Sequence, residues 1–379
     1  MQKSSNSVDA TVAPVSADTL SSAETGAAGE DSRTSTRKNV MHPLARYLIL
    51  RALLAILLMV GVTIVTFTLT NLVPSNPVQA ALGEQAANDP EIVAKFRQDA
   101  GLDKPLYVQY FNYLGRVLHG DLGTSIQTHQ PILDELGRAF PATIELAIVA
   151  IVLASLIGVG LGLLAALKRG TWVDQLIRVV SLIGISVPSF WLAMMVYYEF
   201  FSQLHLLPGA GRLSSIYVPP PHITGMYGLD ALLSLQFDVL GDALLHIIMP
   251  ASVLALYTIG LITRFSRSSI LEVLSLDYVR AARAKGLPRR KVTAYVMRGA
   301  LIPIITMLGV AFGSLLSGTV LVEKVFSWHG IGEYAFNAAT KLDLPAIMGV
   351  GLVVGFVYIG LNFIVDVLYG FIDPRVRVS

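Results

Sequence analysis

Six long apolar runs leave this chain few ways to fold. Each has roughly 19 or more residues, the length a helix needs to cross a bilayer core of about 30 Å. They lie near Ala52–Thr70, Thr143–Leu167, Val179–Phe201, Leu244–Ile262, Leu301–Val322 and Ala346–Leu368. Backbone N–H and C=O groups find no water in hydrocarbon, so each run must satisfy them internally, as a helix does. With 54% hydrophobic and only 14% charged residues, the chain is too apolar for an ordinary soluble domain. The expected fold is therefore all-α, a polytopic membrane protein with six transmembrane helices.

The polar stretches between the runs set its organisation. Residues 1–46 are rich in Ser, Thr, Ala and Gly, with too little apolar surface to offset chain entropy. They read as a disordered tail, and 47–379 as one membrane domain. With the N-terminus inside, 19 of the 28 Lys and Arg residues fall on the cytoplasmic side, nine of them between Arg264 and Arg298. The positive-inside rule then places both termini and segment 265–300 in the cytoplasm. The first outer segment, 73–141, is too long for a simple turn. Ile92–Phe96 and Val108–Leu118 look helical and amphipathic, and HGDLGTS at His119–Ser125 has turn chemistry, so a small outer cap is expected. The Pro- and Gly-rich loop His205–Asp242 should cover the outer mouth without a core of its own.

Much chemistry is excluded. There is no cysteine, hence no disulfide, iron–sulfur cluster or thiolate metal site. No G-x-x-x-x-G-K-[ST] run is present to cradle nucleotide phosphates, so the chain should not hydrolyse ATP itself. Net charge of +2, with both signs interspersed, argues against a nucleic-acid partner. His119, His129, His205, His222 and His329 fall in outer loops, where solvated histidine is the ordinary reading. At membrane depth the ionisable groups are Glu145, Glu199, His246 and Asp366, read chiefly as interfacial or bundle-facing anchors. Too scattered for a proton relay, they weigh against an ATP-independent secondary carrier. Pro188, Pro250 and Pro303 can kink the third to fifth spans. Gly158, Gly160 and Gly162 allow close helix approach in the second, for bundle packing or a subunit contact.

The largest polar, basic interruption in the C-terminal half is DYVRAARAKGLPRR, Asp277–Arg290. Asp277 can open a helix, Ala281, Ala282 and Ala284 carry it, and Gly286 with Pro288 closes it, which predicts a helix of about two to three turns. Val279, Ala282 and Gly286 share a small apolar face that can seat in another protein's groove, while Arg280, Arg283 and Lys285 lie away from it. The segment also satisfies the plainer role of a positive-inside loop.

This segment resembles the EAA loop of permease subunits in ATP-binding-cassette importers, with Ala281, Ala282, Gly286 and Leu287 at the family's small, glycine and hydrophobic positions. The likeness runs from about Arg46 to the end. RYLILRALLAILLMVGVTIVTFTLTNLVPSNP, GLDKPLYVQYFNYLGRVLHGDLGTS, ISVPSFWLA, ALIPIITMLG, VEKVFSWHGIGEYAFNAA and DVLYGFIDPRVR are similar to the B-type permeases of dipeptide and oligopeptide importers. Ser75 and His329 depart from the pattern, standing where the family usually has Gly and Pro. The resemblance implies a type I ABC importer permease fold that transports di- or oligopeptides without catalysing anything. It implies a homologous second (C-type) permease, two ATPase subunits or one fused, an extracytoplasmic peptide-binding protein, and ATP and Mg bound on the ATPases. It also implies that Asp277, Tyr278, Arg280, Ala281, Ala282, Arg283, Lys285, Gly286 and Leu287 form the ATPase-docking coupling helix. Family members also carry nickel complexes, glutathione or sugars, but the loop PPPHITGMYGLDALL looks more like the peptide members.

Overall fold

The computed structural model describes residues 43–72, 89–99 and 103–372. The tail before residue 43, Ser75 and the terminal DPRVRVS lie outside the described residues. Thirteen α-helices and no strand are present among those described: α1 Pro43–Leu72, α2 Pro90–Asp99, α3 Leu106–Leu118, α4 Ile132–Leu167, α5 Trp172–Ser186, α6 Ser189–Tyr197, α7 Tyr227–Leu233, α8 Phe237–Leu274, α9 Asp277–Ala284, α10 Arg289–Gly318, α11 Val320–Phe326, α12 Ile331–Thr340 and α13 Leu344–Ile372. Five of them, α1, α4, α8, α10 and α13, are long and apolar enough to cross a membrane; α5 and α6, the latter continued by a π-helical turn at Tyr198–Gln203, meet the same criterion only as a pair, bent by 95° as in a broken span or a re-entrant loop. The break has a local cause. Val187 is extended (φ −80°, ψ 127°), as the residue before a proline tends to be, and Pro188 starts α6.

Helix ends overrun the apolar runs. Pro43 opens α1 four residues inside the expected tail, at a helix start where proline's missing N–H costs nothing. α4 begins at Ile132, not Thr143, so the last ten residues of the expected outer loop are helical. Asp134, Glu135 and Arg138 interrupt the hydropathy there, but Ile132, Leu136 and Ala139 keep a helical period and bury against Ile331 and Val350. α8 has 38 residues, about 57 Å at 1.5 Å per residue, nearly twice the hydrocarbon thickness. α10 stops at Gly318, and Val320–Val322 belong to α11 instead of the fifth span.

α8 is the axis of the bundle, packed by α4, α5, α6 and α10. A Cβ added at Gly158 or Gly162 would come within 2.9 Å of Ile262 and 2.7 Å of Ser266, so these two glycines seat α4 directly on α8. Gly160, two residues apart, points into open space. The small residues thus serve packing within the chain at two of the three positions. In the expected orientation the outer half of the core gathers Leu146, Ile247, Met249, Phe326 and Trp328, and the inner half Ile270, Val273, Val292 and Val296. α1 leans mainly on α13 and turns Leu53, Leu57 and Leu58 outward, as a lipid-facing helix does.

Candidate functional site

At the end of the bundle expected to face the cytoplasm, α9 spans the short gap between α8 and α10. Its N-cap is Leu276, with no side-chain cap; Asp277 is the first helical residue, where its charge suits the helix dipole, and it pairs with Arg280 one turn on. The C-terminus is closed by the two backbone bonds of a Schellman motif. Gly286 N–H donates to Arg283 O (2.9 Å) and Leu287 N–H to Ala282 O (3.3 Å), with Gly286 at φ +72°. Leu287 then packs into the inner cluster beside Val279 and Val292.

Val279 is fully buried and Ala282 only 9% exposed, against the end of α8 and the start of α10. The face expected to enter another protein's groove is largely the one that fastens α9 to its own chain. Asp277, Tyr278, Arg280, Ala281, Arg283, Lys285 and Gly286 are exposed, and Leu287 is half-buried. An apolar helical face must be covered, but periodicity does not say by which partner. Tyr278 also anchors inward: a Cβ at Gly299 would meet its hydroxyl at 2.5 Å, so the missing side chain lets α9 lie close on α10. The result is a short helix held at both ends, presenting a basic outer face.

A second fixture lies nearby. Arg267 on α8 grips Asp174 on α5 with two parallel bonds, Nε to Oδ1 at 2.7 Å and Nη2 to Oδ2 at 2.8 Å. Asp174 is 1% exposed and also accepts the Gly170 N–H. The short α4–α5 turn is therefore tied to the helix that carries α9.

Polar anchors build the opposite end of the bundle, the one expected to face outward. Ser125, at the end of HGDLGTS, donates to Asp343 Oδ2 (2.5 Å), and Asp343 Oδ1 accepts the Ala346 N–H at the start of α13. The expected turn is thus a clasp onto the last span. Glu145 accepts Arg212 Nη2 at 2.7 Å and the Tyr227 and Gly228 amides, so it anchors the loop above it. Asp230, buried in that loop, accepts three backbone amides and the Thr224 hydroxyl; burial alone would raise its carboxyl, but these donors hold it below the usual carboxylate range. His246 is buried, with Nδ1 2.9 Å from Asp242 O, whereas Glu199 and the five loop histidines are exposed. His329 has φ +56°, a conformation closed to proline. The side chain of Asp366 lies outside the described residues.

Hydropathy missed Glu323, just past the fifth apolar run. It is wholly buried and accepts Thr143 Oγ1 (2.8 Å), Thr319 Oγ1 (2.8 Å) and the Glu333 N–H (3.0 Å), which joins α11 and α12 to α4. Burial pushes its carboxyl up, against the pull of those donors. The one sequence signal is its place in VEKVFSWHGIGEY.

Five helices long enough to cross a bilayer, packed around α8, define a multi-pass helical membrane protein. The chain belongs to the family of binding-protein-dependent transport system inner membrane components, which matches residues 158–378, while that system's N-terminal membrane-component family matches residues 44–147. It is 47% identical to a probable D,D-dipeptide transport system permease protein of Escherichia coli K12, over 85% of this chain and 94% of that one. It is 41% identical to the dipeptide transport system permease protein of Alkalihalophilus pseudofirmus (87% and 99% covered), and 43% to a di/tripeptide permease protein of Pseudomonas aeruginosa (84% and 94%).

Proposed function

We propose that this chain is a permease subunit of an ATP-driven importer that moves di- or oligopeptides into the cytoplasm. The observation that carries the reading is family membership together with 37–47% identity to peptide permeases along most of the chain. In this reading the subunit is not an enzyme. It pairs with a homologous permease, receives peptide from an extracytoplasmic binding protein, and is driven by ATPase subunits that bind ATP and Mg. Both termini are cytoplasmic.

The coupling contact is the exposed part of α9: Asp277, Tyr278, Arg280, Ala281, Arg283, Lys285 and Gly286, with Ala282 and Leu287 at its inner edge. ATP binding draws the two permeases' coupling helices together. A helix clamped to α8 and α10 passes that displacement to the spans as rigid-body motion, which biases the bundle between two packings.

Gly286→Pro tests this. Proline cannot adopt φ +72° and removes the N–H that bonds Arg283 O, so it destroys the helix end. The variant should insert in the membrane yet fail to co-purify with the ATPases, and peptide-stimulated ATP hydrolysis in lipid should be lost. Wild-type coupling by the variant refutes the docking role.

A further inference from the structure

At the end of the bundle opposite α9, separate elements enclose an open cavity of about 680 Å³. The first turns of α4 give it Glu135 and Arg138, the loop before α7 gives Arg212, α7 begins in its wall with Tyr227, and α12 gives Glu333 and Tyr334. A volume of that size suits a small ligand. Part of the wall is already fixed. Arg212 is held by Glu145 at 2.7 Å and by the face of Tyr227 at 3.8 Å, and Glu333 by Lys324 at 3.4 Å and the His329 N–H at 2.8 Å.

Two charges of opposite sign in the same wall are not spent on each other. Glu135 accepts the Tyr334 hydroxyl at Oε2 (2.7 Å), and among the described residues nothing donates to its Oε1. Arg138 is exposed and has no ion-pair partner among those residues, although Asp134 and Glu135 lie one turn back on the same helix. Arg212 is 8% exposed, and its buried Nε has no acceptor. A buried donor left idle is unfavourable, and an added oxygen acceptor removes that cost.

We infer that this cavity holds a dipeptide by its two ends, the α-carboxylate on Arg138, with Arg212 adding a second positive charge to the same wall, and the α-ammonium on Glu135 Oε1. A guanidinium offers a carboxylate two parallel N–H donors, which fixes its orientation as well as its charge. Residues three apart on a helix stand about 5–6 Å apart at Cβ, and an extended dipeptide spans at most about 7 Å. The pair therefore matches both terminal charges of two residues, whereas each further residue carries one end about 3.5 Å farther off. This rests on the peptide-permease reading above and adds a selection for short length and free ends, made by the permease itself.

The test is equilibrium binding of radiolabelled Ala-Ala to the full importer in lipid nanodiscs without its binding protein, in competition with acetyl-Ala-Ala, Ala-Ala-amide and tetra-alanine. Wild type should bind Ala-Ala and hold each competitor about ten-fold more weakly, equivalent to about 1.4 kcal/mol. Arg138→Gln should weaken Ala-Ala about ten-fold and cease to distinguish it from the amide, while still rejecting the acetyl form; Glu135→Gln should do the reverse. A merely structural role for either residue would not give that crossed pattern. Unchanged selectivity in both variants overturns the inference, as does tetra-alanine bound as tightly as Ala-Ala or failure of wild type to bind Ala-Ala. Variants that lose only their association with the binding protein overturn it in favour of a docking seat. In all these cases uptake of Ala-Ala by wild type with its binding protein leaves the peptide-permease reading standing. Absence of uptake of any di- or oligopeptide overturns both.

Discussion

Arg267 shows how much can hang on one side chain. Its side chain is 21% exposed, but that of Asp174, whose carboxylate it holds, is almost wholly enclosed. Removing one partner of a buried pair costs roughly 3–5 kcal/mol when the other is left alone; here the Gly170 N–H and Arg178, 3.7 Å away, would remain to Asp174 and hold the loss toward the lower end. Arg267→Ala should therefore lower the thermal unfolding midpoint in detergent far more than Arg264→Ala, since Arg264 on the same helix is exposed. Equal shifts would show that the pair is solvated. At this scale the sequence told little: Asp174 and Arg267 are 93 residues apart, and only the fold makes them neighbours. Glu323 was hidden for the same reason, since a carboxylate beyond an apolar run looks solvated until Thr143 and Glu333 close over it. Glu145 was legible, because an acid inside an apolar run already demands a partner.

At the scale of the element, α4 on α8 is the contact that decides the bundle. Gly158 and Gly162, four residues apart, share one face, and Gly160 lies off it. Gly162→Ala would force a methyl to within 3.0 Å of the Thr263 carbonyl, and overpacking of that kind costs roughly 1–3 kcal/mol. Gly160→Ala meets nothing within 4 Å and should gain up to about 1 kcal/mol of helix propensity. Thermal unfolding of the two variants in detergent should thus move in opposite directions. A fall of similar size in both would place Gly160 in a contact as well. The glycines were visible in the sequence, and their partner was not. The third run shows the same division: Pro188 marked the break, and only the structure gave its size, 95°.

Over the whole molecule, orientation is the statement most open to a direct check. The chain has no cysteine, so single cysteines report without background. Val218→Cys, on the outer loop and 81% exposed, should react with an impermeant maleimide on intact cells. Glu272→Cys, exposed near the end of α8 that adjoins α9, should react only after the membrane is opened. The reverse pattern would invert the topology and put α9 beyond reach of any ATPase. The sequence by itself determined the helical class, five of the six expected spans and the short helix at Asp277–Ala284, because apolar length, backbone hydrogen bonding and capping are local or one-dimensional constraints. Only the tertiary structure decided where helices end, that α8 is nearly twice as long as a hydrocarbon core requires, and that Val279 and Ala282 face inward. Those outcomes depend on which surfaces meet, and burial is settled by partners distant in sequence that no local pattern names.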